Sequence, residues 1–331
     1  MKQYHIYGLG AALVDTEIEV TDANLAELKV EKGLMTLVDE ARQAELLNGL
    51  TGQLVHAKLA SGGSACNSVV AASYFGAKGF YSCKISNDQH GDIFLADLAA
   101  ANVASNFDAQ DRPQGVTGKC LVLITPDAER SMNTFLGISE TLSTEQLDED
   151  AIANSEYVYI ESYLVTSPTG RAAAIKAREV AEANGVKTAL SFSDPAMVEF
   201  FNDGVKEMLG DGVDLVFCNE DEALAFAKTS DMDTAIEAIK AVAKTFAITR
   251  GAKGAVVFDG ESLIEIAPNT VKAVDTNGAG DMFAGAFLYG LSQGWDFAKA
   301  GALASKASAE VVSGYGPRLA PEKHQQILQS L

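Results

Sequence analysis

The chain has 331 residues, 47% of them hydrophobic, and a formal net charge of -20 at pH 7. That length admits one large α/β domain or two, with a substantial core. The acidic balance excludes the basic stripe of a nucleic-acid surface and gives no reason to expect attachment to an anionic membrane.

The opening Met1-Lys2-Gln3-Tyr4-His5 leads straight into a strand-like run without a signal-peptide pattern. No apolar stretch is long enough to span a bilayer. Cys66, Cys83, Cys120 and Cys218 lie far apart, and His5, His56, His90 and His324 lack ligand spacing. We expect reduced, mostly buried thiols in a cytoplasmic protein and no zinc site.

In chain order, Ile6–Gly10 reads as a buried strand, and Leu13–Val20 alternates like a half-exposed one. Gly8-Leu9-Gly10-Ala11-Ala12-Leu13 lacks the third glycine of a dinucleotide fingerprint, and a strand follows where a helix is required. Leu54–Leu59 alternates too. Cys120–Ile124 and Ser131–Leu136 flank a Thr-Pro-Asp-Ala-Glu-Arg turn, as in a hairpin. These pieces predict a small sheet apart from the main core.

From about residue 150 strands and helices alternate. Tyr157–Ile160, Lys187–Phe192, Asp214–Cys218, Phe246–Thr249 and Ala255–Phe258 read as strands. Ala172–Ala183, Glu220–Lys228, Thr234–Lys244, Ala279–Leu291 and Phe297–Val312 read as helices, the first stopped by Asn184-Gly185. Such alternation predicts a largely parallel sheet with helices on both faces, and ligands at the carboxyl ends of its strands. The loops after residues 10, 162, 193, 218 and 249 are therefore the places for a site.

Four motifs carry candidate chemistry. Ser61-Gly62-Gly63-Ser64-Ala65-Cys66-Asn67 precedes a helix of small and apolar residues. It is either a sugar-gripping loop, with Asn67 as donor and acceptor, or a tight turn capped by Ser64. Asn219-Glu220-Asp221-Glu222 opens a helix, where carboxylates are favoured in any case. Ile248-Thr249-Arg250-Gly251-Ala252-Lys253-Gly254 is a turn between strands, with two cations that could offset the overall acidity. Val274-Asp275-Thr276-Asn277-Gly278-Ala279-Gly280-Asp281 leads into an apolar helix. Its small residues bare backbone N–H groups at a helix start, which suits an anion, and Asp281 sits beside them as a potential base. An acidic helix cap fits the motif equally well taken alone. No Gly-x-x-x-x-Gly-Lys-Ser/Thr occurs, so the chain is not a P-loop enzyme.

That eight-residue string resembles the signature of the ribokinase-like, or PfkB, family of sugar and nucleoside kinases. The resemblance extends to the Gly-Gly loop, the Asn-x-x-Glu pair and the 248–254 turn, so it covers nearly the whole chain. Glu129–Gly137 and Asp275–Gly278 look most like bacterial adenosine kinase-like members. The resemblance implies a single three-layer α/β/α domain with a mainly parallel central sheet and a small β-sheet lid. The lid would be built from residues of about 13–37, 54–60 and 117–137.

By the same resemblance the enzyme moves the γ-phosphoryl group of ATP to a primary hydroxyl, in the first place the 5′-OH of a purine nucleoside. Asp281 is then the base, with the Gly278, Ala279 and Gly280 amides as anion hole. Asp15, Gly62, Gly63, Asn67 and Asn277 hold the acceptor, and Phe135 and Leu136 offer a surface for its base. Asn219, Thr249, Gly251, Gly254 and Lys306 serve the nucleotide, and Glu222 organises Mg²⁺ through water. The alternatives are a kinase of fructose or ribose and, more distantly, a non-catalytic nucleoside-binding protein. Two departures stand out. Relatives carry asparagine where Ser193-Asp194-Pro195 has aspartate, and the threonine of monovalent-cation sites is Asn277 here. No macromolecular partner other than a second copy is expected; the chain would be a monomer or homodimer.

Overall fold

The computed structural model describes residues 2–50, 59–107, 112–127 and 129–331. Among the described residues fourteen strands are formed. They run β1 (Tyr4–Leu9), β2 (Leu13–Glu19), β3 (Met35–Leu37), β4 (Leu59–Gly62), β5 (Gly79–Ser82), β6 (Val103–Ala104) and β7 (Gly118–Ile124). Then come β8 (Arg130–Phe135), β9 (Ser155–Glu161), β10 (Lys187–Ser191), β11 (Val213–Asn219), β12 (Ala243–Thr249), β13 (Ala255–Phe258) and β14 (Leu263–Ile266).

Nine of them make one sheet in the order β14-β13-β12-β11-β10-β9-β1-β5-β6. Pairing is parallel from β12 through to β6 and antiparallel only at β12–β13 and β13–β14. Strands covered on both faces need unbroken apolar runs, and Tyr157-Val158-Tyr159-Ile160 is buried throughout. Helices Ser64–Phe75, Ala279–Ser292 and Phe297–Val312 pack together on one side. Tyr7, Tyr81, Tyr159, Phe192, Phe246 and Phe287 are fully buried in the core between the layers.

The other five strands form a second sheet in the order β3-β8-β7-β2-β4. β7 and β8 are the expected hairpin, with Cys120 opposite Thr134 and Ile124 opposite Arg130. β2 runs parallel to β7 and antiparallel to β4. This sheet has its own small core of Ile18, Val20, Leu25, Leu46, Leu50, Leu121 and Leu123. The expected strand over 54–59 lies outside the described residues except at its last position.

Two local expectations are corrected. The helix expected over Thr234–Lys244 is Met232–Lys240, and β12 already begins at Ala243. Apolar Val242 and Ala243 continue the helical spacing, but pairing of Val213 with Ala243 claims them for the sheet. Ser64 is not the cap of its helix; Gly63 holds that position at φ 96° without a side-chain bond.

Candidate active site

A cleft of about 720 Å³ opens between the two sheets. Its floor is the start of the Ala279–Ser292 helix. Gly278 caps that helix in the left-handed region at φ 74°, and a Cβ there would collide with Pro317. Only glycine fits both constraints. Gly280 has open space where a Cβ would be. The first-turn N–H groups have no partners inside the helix. The Ala279 N–H makes one long bond, 3.3 Å, to the Thr276 carbonyl. The turn is anchored by fully buried Asp275, which accepts from the Asn277 N–H at 2.9 Å and the Gly316 N–H at 2.8 Å.

Asp281 faces the cleft from the first turn. Ser64 Oγ donates to its Oδ1 at 2.6 Å, and Asn67 Nδ2 donates to its Oδ2 at 2.9 Å. Burial raises its pKa; these two bonds and the charges of Arg130 and Arg318 oppose the rise. Ser64 therefore serves the carboxylate rather than the helix end.

Asp15 projects from β2 into the same cleft and is buried. Burial and the neighbouring Glu17 push its carboxyl up to about 7. A Cβ on Gly62 would run into the Asp15 carboxylate, and one on Gly63 into the Ala11 carbonyl, so both glycines give room for this approach. Gly63, Asn67 and Asn277 line the cleft; Gly62 pairs with Leu13 behind it. Glu161, at the end of β9, is buried and pushed up to about 7, although the Ala11 and Ala65 N–H groups each donate to it at 2.7 Å.

Asn219 and Glu222 form a closed capping box at the start of the Glu220–Ala227 helix. The Asn219 N–H and Nδ2 each donate to the Glu222 carboxylate at 2.9 Å, while the Glu222 N–H donates back to Asn219 Oδ1 at 2.8 Å. Glu222 is buried, and that burial pushes its carboxyl up to about 8. A buried cleft-facing carboxylate in this condition fits a divalent cation. No group of three or more acidic, His or Cys ligands occurs among the described residues.

Thr249, Gly251 and Gly254 line the far end, with Gly254 at φ 86° where a Cβ would strike the Ile266 carbonyl. Both cations of this turn are already paired, Arg250 with Glu265 and Lys253 with Glu220 at 3.1 Å. Asp194 is a helix cap accepting from the Ala196 N–H at 2.8 Å, which accounts for aspartate at that position.

Besides Gly62, two expected contributors face elsewhere. Lys306 Nζ donates to the Ser330 carbonyl at 2.7 Å, and the cleft-lining residues of its helix are Ser305, Ser308, Ala309 and Val312. Phe135 does not line the cleft; Met132, Thr134 and Leu136, on the opposite face of that strand and its continuation, do. Two arginines were not foreseen. Arg130 reaches into the cleft from β8, with one Nη 3.4 Å from Thr276 Oγ1 and a buried Nε that has no hydrogen-bond partner. An orphaned guanidinium donor beside bared amides is suited to phosphate oxygens. Arg318 lies behind Asn67, and its Nε donates to Asn67 Oδ1 at 2.8 Å. The sign of a turn charge in the 129–137 segment was readable; its direction was not.

The sequence profile of the pfkB family carbohydrate kinases matches residues 35–324. The chain belongs to the pfkB family. This pfkB-family member is 31% identical over 340 residues to adenosine kinase of Saccharomyces cerevisiae, spanning 95% of this chain and 96% of that one. Among solved structures, adenosine kinase from Sinorhizobium meliloti superposes with a TM-score of 0.92 at 33% identity, covering 99% of this chain and all of that one. A probable sugar kinase from Rhizobium etli CFN 42 gives the same TM-score at 32% identity, covering 100% of this chain and 99% of that one. The family's three-layer fold and smaller second sheet are those described above. Membership makes the protein a phosphotransferase acting on an alcohol group, and implies ATP as donor. Among the described residues no helix is long and apolar enough to cross a membrane.

Proposed function

We propose that this kinase phosphorylates the 5′-hydroxyl of a purine nucleoside, adenosine first among them. The carrying observation is the composition of the cleft around Asp281. Asp15, Asn67 and Asn277 supply acceptors and donors for ribose hydroxyls. Beyond them the small sheet offers Leu13, Met35, Met132 and Leu136, an apolar wall that suits a flat base and gives a free sugar nothing to bond. Relatives named adenosine kinase support the same acceptor.

In the reaction Asp281 takes the proton of the 5′-hydroxyl. That oxygen bonds to the γ-phosphorus while the bond to the β,γ-bridging oxygen breaks, and ADP leaves. The Gly278 and Gly280 amides, with Ala279 between them, hold the equatorial oxygens, and Arg130 adds charge from above. Thr249, Gly251 and Gly254 flank the nucleotide. Mg²⁺, held near Glu222 and Asn219 through water, supplies charge neutralisation of the triphosphate when bound. The small sheet acts as a lid, excluding water that would compete as nucleophile.

The test is an acceptor panel followed by ADP release: adenosine, guanosine, inosine, ribose and fructose at equal concentrations. The expected result is a kcat/KM for adenosine at least about a hundredfold above either sugar. A sugar turned over faster than every nucleoside would reverse the assignment.

A further inference from the structure

Asn67 is the pivot of the site, because its two amide atoms look in opposite directions. Its Nδ2 donates to Asp281, and its Oδ1 accepts from Arg318 Nε at 2.8 Å. An asparagine amide rotated by half a turn has nearly the same shape, so packing alone does not choose between its faces. The guanidinium chooses, since it carries donors only and can face nothing but the oxygen. The amide turned the other way would set oxygen against the Asp281 carboxylate.

Arg318 is itself held firmly. One Nη donates to Asp97 Oδ2 at 2.6 Å and to Ser61 Oγ at 2.9 Å, and the other reaches Cys66 Sγ at 3.3 Å. Ser61 Oγ also donates to Asp97. The same loop that delivers Arg318 gives the Gly316 N–H to Asp275 and sets Pro317 against Gly278. Arg318 does not line the cleft. We propose that Arg318 is a positioning residue for phosphoryl transfer: anchored by Asp97, it fixes the direction of the Asn67 amide and thereby aims the Asp281 carboxylate. This rests on the reading of Asp281 as the base.

The charged and titratable groups around Asp281 come from several elements. Arg130 on β8 and Arg318 favour its ionised form, as do the bonds from Ser64 and Asn67. Asp15 on β2, Glu161 and Tyr159 on β9, and Tyr163 just after β9 couple to it as neighbouring acidic groups. Losing Arg318 leaves Arg130 as the single cation on that list, with the amide free to turn.

The experiment compares wild type, Arg318→Gln, Asp281→Asn and the double variant, using ADP release across pH 5–9 with the best acceptor of the panel. Glutamine offers both a donor and an acceptor, so it no longer dictates the Asn67 face. Expected for Arg318→Gln are a kcat lower by about a hundredfold, as for a misaimed catalytic group, an acid limb of kcat/KM displaced to higher pH, and an unchanged KM for ATP. In the Asp281→Asn background the same substitution should cost little more, because its effect passes through that carboxylate. Equal losses in both backgrounds, or a wild-type kcat and acid limb in the single variant, would overturn the role of Arg318 while leaving Asp281 as base. Wild-type turnover by Asp281→Asn would overturn the base itself. If Arg318→Gln does not fold, Arg318→Lys, which stays donor-only, takes its place. It should then keep the wild-type acid limb, and a displaced limb would count against the proposal.

Discussion

Asp281→Asn separates chemistry from architecture. Asparagine is nearly isosteric, so its Oδ1 can accept from Asn67 Nδ2 and its NH₂ can donate to Ser64 Oγ, preserving contacts of 2.9 and 2.6 Å. The substitution also removes a carboxylate whose burial opposes ionisation, so the melting temperature should hold or rise. The amides of Gly278 and Gly280 stay as they are, and ATP binding should change little. What disappears is the proton acceptor, worth about 10²–10⁴ in rate, or roughly 3–5 kcal/mol of barrier at ~1.36 kcal/mol per decade. The assay pairs steady-state ADP release with calorimetric ATP binding and a thermal melt. A folded, ATP-binding variant with kcat within about threefold of wild type would refute the reasoning.

Gly278→Ala meets both a left-handed backbone and Pro317; it should cost about 1–2 kcal/mol in strain plus about 1–3 in displaced packing, read as a lowered chemical-denaturation midpoint. Gly280→Ala meets nothing within 4 Å, so it should melt like wild type yet lose kcat/KM, its methyl standing in the cradle. Glu222→Gln keeps a residue suited to the capping box, so folding should survive; the Mg²⁺ concentration giving half-maximal activity should rise about tenfold, and an unmoved titration would dismiss Glu222 from the metal network. Asp15 and Glu161 at about 7 and Glu222 at about 8 bind protons more tightly folded than unfolded. Their contribution is fully present below the ordinary carboxylate pKa and is lost as pH rises through about 7 to 8, so the ligand-free melting temperature should fall between pH 5 and 8 and fall less in Glu161→Gln. A flat profile would show these carboxyls to be ordinary.

What the sequence made legible was local. Gly278, Ala279, Gly280 and Asp281 sit within one helix start, and Asn219 and Glu222 within one turn, so spacing alone brings them together. Strand alternation and the change of period near residue 150 gave the layers. Facing was harder. Period two sets Met132 and Thr134 on the cleft side of β8 and Phe135 on the other, and that parity depends on which sheet face is covered. Helical spacing from Ser305 leads to Ser308, Ala309 and Val312, and passes over Lys306. Arg318 had no readable signal at all, because its partners Asn67 and Asp97 are 251 and 221 positions away.

The segment around Gly316 touches both halves of the molecule. Tyr315 lies beside Glu19 at the end of β2, and the next residue ties down Asp275 beneath the amide cradle. Were the small sheet to tilt, this segment would carry the movement to the turn that belongs to the large one. A gaping cleft would then hold a slackened cradle as well as bulk solvent, so an idle enzyme should waste little ATP on hydrolysis, through mechanical linkage rather than through any added gatekeeper.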